Sequence, residues 1–174
     1  MPRVGLLFLL TLFACSAAGG ARRGGDGELE AHWSGGGGTA LLIAPAEARW
    51  CARDTMLEIL AVRNDTAVGI AVYARDSLRV EAYPIFLAGV FAPWRPQATA
   101  ALRLLSSNEL QGFESHWGQV QVSEAGGGRV SGTFDLHLKR AAAADSLQVT
   151  GRFTHLTVRP AALSCGRADK PLSR

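Results

Sequence analysis

The sequence predicts an all-β fold: an antiparallel β-sandwich or barrel-like single domain whose strands are bulged and bent. Three observations point to it. From Val130 to Lys139, the apolar Val130, Phe134, Leu136 and Leu138 alternate with Ser131, Thr133, Asp135, His137 and Lys139, a period of two that sorts side chains onto opposite faces of a strand. Val130-Ser131-Gly132-Thr133-Phe134 is echoed by Val149-Thr150-Gly151-Arg152-Phe153, so two strands share a Gly-x-Phe signature. The apolar parity also slips at Trp117-Gly118 and again between Phe153 and Leu156, as happens where an extra residue bulges out of a ladder and bends the strand.

The 174 residues are 48% hydrophobic and 19% charged, which suits one domain with a substantial core. The formal charge of +3 comes from scattered arginines. Arg49, Arg53, Arg63, Arg75, Arg79, Arg95 and Arg103 are each separated by apolar or acidic residues, so no basic patch with interleaved aromatics recommends nucleic-acid binding.

Met1-Pro2-Arg3 precedes an apolar run from Val4 to Phe13 and then the small residues Ala14 to Ala18, the plan of a secretory signal peptide. The run is too short to span a bilayer, which takes about twenty residues. Leu12-Phe13-Ala14-Cys15 resembles the lipobox of bacterial lipoproteins, although Phe13 stands where a small or β-branched residue is usual. The resemblance implies cleavage before Cys15, lipid on its sulfur and its amine, and attachment to a membrane. Ser16 after the cysteine resembles an outer-membrane sorting pattern. The expected location is therefore the cell envelope, as an outer-membrane or periplasmic lipoprotein, with cleavage after Ala18 and secretion as the alternative.

The chain has three cysteines, Cys15, Cys51 and Cys165. With Cys15 lipidated or removed, the other two can form one disulfide in an oxidising compartment. The domain plan that follows is a signal peptide over 1–14, a flexible Gly/Ala/Arg/Ser tether over 15–27, the β-domain over 28–166, and a disordered tail over 167–174.

Leu29, Ala31 and Trp33 alternate with polar residues to give a first strand; the glycines from Gly35 to Gly38 make a turn, and Thr39 to Ala44 a second strand ended by Pro45. No Gly-Lys-Ser/Thr follows the glycines, so a phosphate loop is excluded. Ala46 to Arg49 reads as a helical turn. Met56–Val62 and Ala67–Tyr73 form two strands around the turn at Arg63-Asn64-Asp65-Thr66. Asn64-Asp65-Thr66 would accept a glycan only in a eukaryotic secretory pathway. Leu78, Val80 and Ala82 form the apolar face of another strand. Pro84, Pro93 and Pro96 make the next segment an edge strand or a loop over the core, and Thr99 to Leu105 is read as a strand. Val120 and Val122 lead through Ala125-Gly126-Gly127-Gly128 into the repeat, completing a meander.

No motif announces chemistry. His32, His116, His137 and His155 lack metal-ligand spacing, and no Gly-x-Ser-x-Gly elbow occurs. His32 and His137 fall on polar strand faces as solvated histidines, whereas His116 and His155 lie near the parity slips, where a bulge can re-aim a side chain. Phe91 and Trp94, set between prolines, are the candidate contact for a partner or ligand. The sequence thus reads as a non-catalytic, cofactor-free β-domain with a binding or structural role in the envelope, meeting an envelope protein. A small apolar ligand held inside a lipocalin-like barrel is the alternative, and an enzyme whose site is assembled only by the fold is the third reading.

Overall fold

The computed structural model describes residues 27–35, 38–86, 95–106, 109–140 and 143–161. Nine strands appear among them: β1 (Glu28–Gly35), β2 (Gly38–Cys51), β3 (Met56–Arg63), β4 (Thr66–Tyr73), β5 (Ala82–Pro84), β6 (Gln97–Ser106), β7 (Glu109–Gly126), β8 (Arg129–Arg140) and β9 (Ser146–Pro160). Eight of them close in the order β1-β2-β3-β4-β6-β7-β8-β9 and back to β1, every step antiparallel. The domain is a closed up-and-down barrel, and the sandwich alternative falls away. Closure pairs the strand edges around the wall, which removes an open template for aggregation.

The repeat supplies the tightest packing. β8 and β9 pair so that Gly132 faces Phe153 and Phe134 faces Gly151. Each copy therefore lays its phenylalanine over the glycine of the other, an aromatic covering a position with no side chain of its own. A Cβ on Gly132 would come 2.5 Å from the Phe153 ring, and one on Gly151 would overlap the Phe134 ring and the Glu30 carbonyl. Phe134 and Phe153 are 3% and 1% exposed.

Both predicted parity slips are bulges. The β7–β8 register jumps between Ser115 and Trp117 and again between Val122 and Glu124, and the β8–β9 register jumps between Val130 and Gly132. Gly118 has φ +126 and passes so close to the Asp135 carbonyl that a Cβ would collide with it, so only glycine fits there. His155 adopts φ +51 at the slip in β9, a conformation uncommon for a residue with a Cβ.

Three sequence expectations are corrected. Pro45 does not end β2, and Ala46–Arg49 is strand, not a helical turn, pairing with β3. The reason is register. The Ala46 N–H donates to the Gly27 carbonyl (3.2 Å), so by antiparallel alternation Glu28 and Pro45 form a non-hydrogen-bonded pair. The β3 ladder begins only at Ala46, and the proline therefore interrupts neither. Next, Leu78–Ala82 is not a strand with Val80 inward: Val80 is 59% exposed, and only Ala82–Pro84 is strand. Tyr83 sets the opposite parity. It is fully buried, and its hydroxyl accepts from the Arg79 N–H (3.0 Å) and donates to the Arg79 carbonyl (3.2 Å). Burial pushes its phenol above the ordinary value, against those hydrogen bonds. Finally, His137 is not a solvated histidine, as its ring stacking below shows.

β5 acts as a wedge. β6 and β7 pair only from Ala101–Glu114 to Ser106–Glu109, and β5 enters the split, pairing with Gln119–Gln121 of β7 while Ile85 bridges to Ala98. Where the ladder parts, the Ser115 hydroxyl accepts the Ala100 N–H (3.0 Å), replacing a backbone partner. On the other side of the barrel β1 begins only at Glu28, and beyond that end β2 and β9 close in parallel, Ala48–Trp50 against Val158–Pro160.

Candidate functional site

Among the described residues, the core side chains from Leu29 round to Leu156 are each at most 8% exposed, and Trp33, Trp50, Leu78 and Leu104 pack partly buried against them. A ligand seated among the buried side chains would have to displace them. An open depression of about 320 Å³ lies at one mouth, between Trp50, Leu78, Ala125, Arg129 and Val158.

The outer wall divides into two unlike halves. On β2 and β3, Leu41, Ile43, Leu60 and Val62 are exposed by 36–51%, continuing across Ala67 and Gly69 of β4 to Ala101 of β6. The half formed by β7, β8, β9 and β1 is polar. Register places Trp117, His137, Gln148 and Ser34 in one row, Gln119, Asp135, Thr150 and His32 in the next, and Gln121, Thr133, Arg152 and Glu30 in a third. Its side chains are tied together. Gln148 donates to Asp135, Arg152 pairs with Glu30 (2.5 Å), and His32 Nε2 donates to Glu30 (2.7 Å).

The His32 hydrogen bond holds the Glu30 carboxyl below its ordinary value of 4.5, over the opposing effect of burial and with help from the Arg152 charge. A carboxyl so lowered adds stability above its unfolded value and loses it as pH falls through the folded one. An NMR titration should place the Glu30 midpoint below 4.5, and His32→Ala should move it upward; a midpoint unmoved by the substitution would remove this account.

Trp117 is the aromatic of the polar half. By the parity of Phe113 and Ser115 it would point inward, but the extra residue His116 turns it out. It is 54% exposed. Its indole lies nearly parallel to the His137 ring, with centroids 4.9 Å apart at 8°, and His116 stands on the same side, 6.4 Å from His137. One face of the indole is thus braced, and more than half of the residue stays exposed. The His137 Nδ1 is buried with no hydrogen-bond partner among the described residues, which costs about 1–3 kcal/mol.

A second cluster sits at the other bulges. Ser131 Oγ donates to Glu124 Oε2 (2.6 Å) and accepts the His155 N–H (2.9 Å), while His155 Nε2 is 3.9 Å from the same carboxylate oxygen. Hydroxyl, carboxylate and imidazole do meet here. The imidazole, however, faces the carboxylate and not Oγ, whereas a nucleophilic serine needs its base on Oγ. The geometry fits a clamp that satisfies backbone left unpaired by the register jumps. Among the described residues no three His, Cys, Asp or Glu side chains gather as metal ligands.

Of the residues singled out from sequence, Cys51 is buried at the end of β2, and Cys15, Phe91, Trp94 and Cys165 lie outside the described residues. The Ala161 N–H donates to the Trp50 carbonyl (2.9 Å), so β9 delivers the chain beside Cys51. The Trp117–His137 platform and the Ser131–Glu124–His155 clamp were missed. The available signals were the parity slip at Trp117 and the placement of His155 beside the other slip. Comparison with known proteins finds no matching family model, no matching curated protein and no matching solved structure.

Proposed function

We propose that this protein is an exported, lipid-anchored binding module of the bacterial cell envelope that works through the outside of its barrel and without catalysis. The observation that carries the reading is the contrast between the two surfaces of the wall: the core side chains are buried, while the outer polar half holds an indole stacked on His137 and still 54% exposed. Cys15 is its membrane attachment, by the lipobox resemblance. A disulfide between Cys51 and Cys165 fits the same compartment. Cys165 follows Ala161 by four residues, a reach of up to ~13 Å, and Ala161 is already bonded beside Cys51.

Metabolic labelling with a fatty-acid analogue tests the anchoring. The wild-type chain should take up label and fractionate with membranes, and Cys15→Ser should lose both properties. Equal labelling of the two chains would end the lipoprotein reading.

A further inference from the structure

We infer that the polar half of the wall is a carbohydrate-binding face centred on Trp117, an inference that rests on the outer-wall reading above and names its ligand class. A pyranose ring has a face of C–H bonds and a rim of hydroxyls. The C–H face suits the negative face of an indole, and the hydroxyls, each donor and acceptor, need planar polar partners arranged around it. Trp117 can offer such a face, since His137 covers only one side of the ring and the residue is 54% exposed. The row beside it supplies Gln119, Asp135 and Thr150. Gln148 occupies one oxygen of Asp135, which leaves acceptor capacity on the carboxylate for a ligand hydroxyl. Three strand spacings make each row roughly 14 Å wide, room for a short oligosaccharide.

The surroundings discriminate against two other ligand classes. Protein interfaces gather their anchors in an apolar core ringed by contacts that exclude water. The partners of Trp117 within its row and the next are polar throughout. A strongly anionic polymer would call for surplus positive charge, but on this face Arg152 and Lys139 stand against Glu30, Asp135 and Glu114, the last directly across from Lys139. An uncharged or weakly charged glycan fits best. The bulge at His116 is what turns Trp117 from the core to this surface.

The test uses the full mature chain against purified peptidoglycan sacculi and a panel of neutral tetrasaccharides built from glucose and N-acetylglucosamine, read by co-sedimentation and calorimetry. At least one probe should bind. Trp117→Ala should weaken that binding about tenfold or more, as expected for loss of a stacking contact, with Trp117→Phe restoring part of it and the melting temperature little changed. Val62→Ser, on the apolar half, should leave binding intact. No binding to any probe, or binding indifferent to Trp117→Ala, would overturn the inference. If Trp117→Ala instead abolished capture of an envelope protein while no glycan bound, the glycan assignment would fall and the outer-wall reading would stand. If glycan bound through Trp117 but Cys15 took up no lipid, the anchoring would fall and the glycan face would stand.

Discussion

Phe153→Ala should destabilise the barrel by about 3–5 kcal/mol, and Phe134→Ala by a similar amount. Each ring does more than fill volume. Phe153 covers Gly132 and Phe134 covers Gly151, so truncation opens a void beside a residue that has no side chain to collapse into it. Because the two pairs are adjacent on the same two strands, the double variant should cost less or more than the sum, and a double-mutant cycle would measure that coupling. Gly132→Ala should also destabilise, since its Cβ would meet the Phe153 ring and the Gln121 carbonyl. Chemical denaturation is the measurement. Single phenylalanine variants with unchanged midpoints would show that the reciprocal Gly–Phe pairing does not hold the sheet.

Reducing the proposed Cys51–Cys165 bridge, or replacing Cys51 with serine, should cost about 4–5 kcal/mol in the chain-entropy model, because the closed loop includes almost the whole domain. The expected signature is a lower denaturation midpoint in reductant that Cys51→Ser reproduces without reductant and that reductant does not deepen. Intact mass after alkylation gives the chemical check: without reduction neither thiol should react, and with reduction both should. Two thiols alkylated in the unreduced, denatured protein would dispose of the bridge.

The strand pattern was legible where one face of the wall is polar. On β8 the alternation of Val130 to Lys139 matches its burial residue by residue, and the parity slips at Trp117-Gly118 and Phe153–Leu156 mark true bulges, because an extra residue must invert a period of two. It was less legible where register with a distant strand decides. Pro45 looks like a terminator, and only its place opposite Glu28, in a pair that needs no N–H, lets β2 run on to Cys51. Val80 looks like core, but Tyr83 takes the inward parity once its hydroxyl is satisfied by Arg79.

The sequence by itself determined an all-β domain, its central meander and its bends, since alternation, glycine placement and parity are local properties of the chain. Only the tertiary structure decided that the sheet closes into a barrel, that the two Gly-x-Phe copies interlock, and that Trp117 stands on the outside braced by His137. Those outcomes depend on which strand lies beside which, and strand register is set by contacts between residues far apart in the chain.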